Sequence, residues 1–163
     1  MSIILDGTNG ITSVTGSASL TAAGPAFSAY NSSSITLTAG TYTKVAFQTK
    51  VFDTNTNFDN TTNYRFTPTI AGYYQINASV STNNPAGAVT ASIYKTGSIY
   101  AKGSINVPQA ATTLAASFVS SIVYLNGSTD YVEIYALQTN GSSQTTNANS
   151  YDTYFNGCLI RSA

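Results

Sequence analysis

The chain has 163 residues, enough for one domain with one sizeable core. Hydrophobic residues make up 42% and charged residues 7%, against ~25% in ordinary soluble domains, and six basic and six acidic residues cancel to a net charge of +0. This excludes the clustered Lys and Arg that phosphate neutralisation or anionic lipid demands, so neither nucleic acid nor membrane insertion is expected, while a surface without mutual repulsion favours association.

Residues 1–24 are rich in Gly, Ser, Thr and Ala, with apolar beads at Ile3, Ile4, Leu5, Ile11, Val14 and Leu20. Asp6-Gly7 and Asn9-Gly10 are strong turn dipeptides, and Gly recurs without helical period, so the segment reads as an extended arm with short strand fragments. Its opening has no positive region before the short apolar run and does not read as a signal peptide.

From Ala26 onward the pattern is β. Lys44–Gln48 and Lys50–Asp53 mix apolar and polar positions at short period. Tyr74–Ser81 alternates cleanly and puts Tyr74, Ile76, Ala78 and Val80 on one face. Ser92–Lys95 and Ser98–Ala101 flank Thr96-Gly97, which predicts a hairpin. Ala116–Leu125 is a strand that turns at Asn126-Gly127; Tyr131–Leu137 alternates again, and Tyr154–Ile160 closes the domain after a long polar loop over 140–151. Strands at this spacing, with no amphipathic helix among them, predict an all-β sandwich or jelly roll over 25–163.

Several of these motifs occur in an order that resembles the C1q/tumour-necrosis-factor-like jelly roll. Ala26-Phe27-Ser28-Ala29 looks like that family's opening strand. Phe58-Asp59, Phe66-Thr67 and Gly72-Tyr73-Tyr74 match its aromatic-Asp, Phe-Thr and Gly-x-Tyr spacing, and Phe155-Asn156-Gly157-Cys158-Leu159-Ile160 resembles its closing Phe-x-Gly-Phe-Leu strand. The chain departs from the pattern at Ile76 and Cys158, where the family usually has Phe, and at Ala71, where it has Pro. The resemblance implies a ten-stranded jelly roll and a homotrimer with one sheet of each protomer facing a threefold axis, a closed symmetry that hides an uncharged face. The arm segment Ile4–Thr12 is similar to openings of tailed-bacteriophage virion proteins, above all tail-fibre chains.

The chain has no His, which excludes a Ser–His–Asp triad, a His-ligated metal and a His general base. Its single cysteine, Cys158, lies in an apolar strand and reads as a buried structural thiol. Asp53–Asp59 imitates the first half of a calcium loop, but Phe58 stands where the turn needs Gly and Tyr64 where the bidentate Glu belongs, so it reads as a strand end entering an Asx-rich turn. Asp6, Asp53, Asp59, Asp130, Glu133 and Asp152 could pair for glycoside hydrolysis, yet most fall at turns, where Asp is an ordinary backbone partner. No enzyme and no cofactor are expected. The resemblance implies calcium near the axis in some trimers, and Asp130 is the residue that could serve it there. Tyr74, Tyr94, Tyr100, Tyr131 and Tyr135 fall at strand spacing and read as core or trimer interface; Tyr151 and Tyr154 flank the long loop and are the candidate ligand contacts.

The expected function is therefore that of a homotrimeric virion structural protein, a capsid decoration or cement protein. Its arm would attach to major capsid or other virion proteins through Ile3, Ile4, Leu5, Ile11 and Val14. The alternative is a tail-fibre or spike knob recognising a host-surface glycan or protein. Residues 1–24 reach at most about 80 Å at ~3.3 Å per residue and carry no heptads for a shaft, which favours decoration.

Overall fold

The computed structural model describes residues 24–83, 87–105 and 114–163, and the backbone of residues 3–6 and 10–14. In the arm, β1 (Ile3–Asp6) and β2 (Gly10–Val14) pair antiparallel, with Ile3 opposite Val14 and Asp6 opposite Gly10. The chain thus reverses direction between these two strands; the turn dipeptides Asp6-Gly7 and Asn9-Gly10 fall partly outside the described residues. The side chains of Ile3, Ile4, Leu5, Ile11 and Val14 lie outside the described part of the structure.

The strands that follow are β3 (Ala26–Tyr30), β4 (Thr36–Leu37), β5 (Thr43–Lys44), β6 (Thr49–Asp53), β7 (Phe58–Asp59), β8 (Arg65–Phe66), β9 (Gly72–Thr82), β10 (Val89–Lys95), β11 (Ser98–Lys102), β12 (Ala115–Leu125), β13 (Val132–Gln138), β14 (Gln144–Thr145) and β15 (Tyr154–Ser162). They form two sheets. One runs β12-β9-β15-β3-β6; the other runs β11-β10-β13-β8-β7, with β5 also paired to β13. All the pairings are antiparallel. β14 and β4 make a small separate ladder.

The inner sides of the two sheets share one core. Tyr74, Ile76, Ala78 and Val80 all point into it, as their alternation predicts. Phe27 sits at its centre, stacked on Phe58 at 5.0 Å and on Phe66 at 4.3 Å, with the Phe155 ring edge-on at 4.8 Å. Such offset and edge-on pairs suit the ring quadrupoles. The Tyr74 hydroxyl, buried with its ring, donates to the Ile70 carbonyl at 2.7 Å, and burial pushes its pKa up to about 12.

Two turns set the register. Thr96 and Gly97 both have positive φ, 47° and 80°, which gives the hairpin between β10 and β11 the twist that its strands require. Gly127 also has positive φ, and a Cβ there would lie 2.4 Å from the Ala71 nitrogen, so the Asn126-Gly127 turn admits no larger residue. The predicted strand over 44–48 is shorter than expected. Only Thr43–Lys44 joins the ladder, yet Val45 and Phe47 still alternate into the core and the Val45 N–H donates to the Ile134 carbonyl at 2.9 Å.

Candidate functional site

The outward side of the five-stranded sheet carries an uncharged face with a regular layout. Cross-strand register groups its residues in rows. One row runs Tyr30, Tyr154, Ser79 and Phe118. The next runs Phe52, Ser28, Asn156, Asn77 and Ser120. A third holds Ala26, Cys158, Gln75 and Ile122, and the last, at the end of the face, holds Arg161 with Tyr73 and Tyr124, whose rings lie 5.4 Å apart. Aromatic and aliphatic rows therefore flank a polar band.

Ser79 is buried beneath the loop and most of the polar side chains are half-buried, but the large apolar ones are open to solvent. Phe118 is 57% exposed and Ile122 53%, and Phe52, Tyr73, Tyr124 and Ile160 are exposed as well, with Val51 at the β6 edge. Near Arg161, where β15 bulges past β9, Tyr73, Ile122 and Ile160 line a hollow of ≈ 600 Å³. Exposed apolar groups clustered on one sheet face mark an interaction surface, whereas scattered ones do not.

The polar band is internally bonded. The Asn77 amide donates to Asn156 Oδ1 at 3.1 Å, and Asn77 Oδ1 accepts from Ser120 Oγ at 2.9 Å and from Gln75 Nε2 at 3.0 Å. Gln75 Nε2 also donates to Ser120 Oγ at 2.8 Å. This network joins three strands that are distant in sequence, so sequence reading had no signal for it. It also explains Asn77, which begins an Asn-x-Ser sequon yet serves the band.

The opposite sheet holds most of the charge. Lys44 pairs with Glu133, and Lys95 pairs with Asp130 at 2.9 Å. The Arg65 guanidinium lies 4.3 Å over the Tyr131 ring and the Lys102 ammonium 5.6 Å over that of Tyr42. Tyr94 and Tyr135 stack at 4.1 Å on this sheet, and burial raises the pKa of both. Of the tyrosines expected in core or interface, Tyr74 is in the core. Tyr94, Tyr131 and Tyr135 are half-buried and Tyr100 is exposed, all on the charged sheet or at its strand ends.

Cys158 corrects an expectation: it is exposed. Phe155 and Gly157 face inward, so strand parity turns Cys158 out beside Gln75 and Ala26. The apolar neighbours Leu159 and Ile160 suggested burial, but they lie at the bulge, where alternation breaks.

The carboxylates serve the turns. Asp53 accepts the N–H groups of Asn57 and Phe58, both at 3.0 Å, and pairs with Lys50 at 3.3 Å, as an Asx-rich turn requires. Asp59 accepts from the backbone of Thr61, Thr62 and Asn63, and these bonds hold its carboxyl far below the usual carboxylate range. The Lys95 ammonium bonded to Asp130 lowers that carboxyl too, against the opposing effect of burial. Asp130 thus already has a cation, together with the Asn126 N–H at 3.2 Å. Among the described residues no three acidic or thiol groups converge as a metal site.

Tyr151 stands at the tip of the long loop, 77% exposed, while Tyr154 is half-buried in β15. The loop beneath Tyr151 is tied down. Asn147 and Asn149 both donate to the Asp152 carboxylate, Asn149 Oδ1 accepts the Tyr151 and Asp152 N–H groups, and Ser79 Oγ donates to the Asp152 carbonyl at 2.7 Å.

No protein-family model matches the sequence, and no curated protein matches it. Solved structures do match its fold. The globular domain of zebrafish complement 1qA protein aligns with a TM-score of 0.62 at 19% identity, covering 85% of this chain and 99% of that one. Eiger TNF from S. frugiperda gives 0.66 at 6% identity, over 86% and 94% of the two chains. The PRD1 vertex protein P5 gives 0.60 at 14% identity, over 84% and 97%. The chain therefore has the C1q/TNF-like jelly-roll fold, as its motif order suggested.

The capped state of Asp59 makes stability depend on acid. Its folded pKa lies below the ordinary 3.8, so its contribution is complete above about pH 4 and is lost as the pH falls through the folded value. An Asp59→Ala variant should melt a few degrees below the parent at pH 7, and thermal scans should show that gap closing as the pH falls below about 4.

Proposed function

We propose that this chain is a non-enzymatic, homotrimeric structural protein of a bacteriophage virion, a capsid decoration or cement protein held to the shell by its N-terminal segment. The observation that carries the reading is the uncharged outward face of the β12-β9-β15-β3-β6 sheet. A face of this kind persists in a neutral protein when copies of the chain cover it, and rotation about a closed axis covers it without leaving a free surface for growth.

The magnitudes make association specific. Fully burying an exposed aliphatic or aromatic side chain stabilises by ~1.5–3 kcal/mol, and about half of that remains to be gained here. Val51, Phe52, Tyr73, Phe118, Ile122, Tyr124 and Ile160 together supply on the order of 5–10 kcal/mol, comparable with the ~4–15 kcal/mol that association costs. The apolar rows therefore suffice only if the polar groups between them are matched as well.

Two features favour a particle. A vertex protein of PRD1 shares the fold, and residues Ile4–Thr12 are similar to virion-protein openings. Three N-terminal segments on one trimer would engage neighbouring shell subunits together, so release requires several contacts to break at once. Ile3, Ile4, Leu5, Ile11 and Val14 are the residues assigned to those contacts. The lack of His and the use of Asp53, Asp59, Asp130 and Asp152 as turn partners favour a non-catalytic role.

A second reading, a receptor-binding knob, is favoured by Tyr151. A rigidly held loop that presents one exposed aromatic ring offers a pre-organised anchor for a glycan or protein, with little ordering cost.

Cys158 tests the trimer. Native protein should elute at three times the chain mass, and a thiol reagent should modify Cys158 at least tenfold more slowly in the trimer than in diluted, dissociated chain. A monomer with a freely reactive thiol would overturn the reading. Deleting residues 1–24 should leave a folded trimer that no longer co-sediments with particles; continued coating would refute the anchoring role. For the knob, Tyr151→Ala should abolish the ability of purified trimer to block infection without changing its mass. If the parent trimer neither coats host cells nor competes with virus, that reading fails.

A further inference from the structure

We infer that the polar band at the centre of the uncharged face sets the register and copy number of the assembly, through hydrogen bonds from Asn156 of one copy to Gln75 of the next. The inference rests on the trimer proposed above and names the residues that give it specificity.

The argument begins with bonding capacity. An Asn or Gln amide offers two N–H donors and one carbonyl acceptor. Asn77 Oδ1 is filled by Ser120 and Gln75, and Asn156 Oδ1 is occupied by Asn77. Ser120 Oγ donates to Asn77 and accepts from Gln75. Among the described residues, neither N–H of Asn156 nor the Oε1 of Gln75 has a partner. Donors are thus left over on β15, and an acceptor on β9 one row away, toward Ile122.

In a lone chain water serves these groups at little cost. The band, however, lies between Phe118 and Ile122 on β12, inside the surface whose burial drives association. Once water is excluded, each unmatched group weakens association by roughly five- to a hundredfold. Two or three orphans would cancel much of the apolar gain. A purely apolar partner leaves them orphaned, whereas a second copy of this chain brings a Gln75 carbonyl to meet each Asn156 amide. A rotation that places the β15 side of one copy against the β9 side of the next satisfies every copy in turn, as a head-to-tail ring requires. A polar group in an apolar seam selects register and oligomer state in the same way in coiled coils.

The test is a double-mutant cycle on the assembled protein, read by native mass spectrometry across a dilution series. Asn156→Leu alone, and Gln75→Leu alone, should each raise the dissociation midpoint at least tenfold, because each leaves its partner's group buried and unmatched. The double variant should recover association but spread over several oligomer sizes. Thermal scans of the diluted chains should show the single variants folding like the parent, which separates a lost interface bond from a lost fold. If the parent is a trimer and the single variants dissociate as it does, or the double variant remains one discrete trimer, this inference is wrong and the trimer stands. If the parent itself never assembles, both fall.

Discussion

Over Tyr154–Cys158 strand β15 lies between β3 and β9 in a single parity, and most of the molecule follows from that placement. Phe155 points inward to meet the rings of Phe27, Phe47 and Phe58. Two residues on, Gly157 also faces inward, where a Cβ would lie 2.7 Å from Ile76 Cδ1 and 2.8 Å from the Gln75 carbonyl. A slip of one residue would bury Asn156 and Cys158 and expose Phe155. Burying the Asn156 amide while losing a ring from the core costs several kcal/mol. The same parity turns Asn156 and Cys158 outward. The register that builds the core therefore also builds the polar band.

Segregated charge is the second consequence. A chain with so few ionised groups cannot keep both sheets equally hydrated. Lys44 with Glu133, Lys95 with Asp130, and the cations over Tyr131 and Tyr42 all fall on or beside one sheet. The other sheet has Arg161 at one end and the Lys50–Asp53 pair on its β6 edge, with none between. As stabilising contacts these half-buried pairs gain little net, because desolvating the charges offsets their attraction. Their value lies in orientation: one sheet is kept hydrated by its charges, and the other is left with an almost uncharged face.

Much of this was legible in the sequence where strands are long. Tyr74, Ile76, Ala78 and Val80 announced their face by alternation, and Thr96-Gly97 announced its hairpin. The two-residue strands β4, β5, β7 and β8 are too short to show a period, so the sheet containing β7 and β8 was less visible than the other. Cys158 has the apolar neighbours of a buried thiol, but the parity set by Phe155 places it outside. The polar band was hidden for a different reason. Gln75, Asn77, Ser120 and Asn156 lie on three strands, and only the cross-strand register brings them into contact; taken singly, each looks like ordinary surface in a chain rich in such residues.

The sheet edges argue for association through the face. An edge strand offers unpaired N–H and C=O groups to any passing chain and invites open-ended growth. Here the edges are blunted. On β6, the pairing with β3 is interrupted by a bulge at Ser28/Ala29 and the strand carries Lys50 and Asp53. On β12, the Phe118 carbonyl accepts the Ser104 N–H and the Ile122 carbonyl accepts the Tyr100 hydroxyl at 3.0 Å, so the edge next to the exposed apolar side chains is partly occupied from the neighbouring β11 segment. β7, at the edge of the other sheet, is two residues long. With three of the four sheet edges short, charged or partly occupied and one face charged, the uncharged face is the broadest surface left for contact between copies. A head-to-tail contact through the face makes a ring of fixed size when its rotation closes, and blunted edges add no open-ended growth to it. In the proposed trimer, a neutral protein built this way would associate to a definite number and stop there.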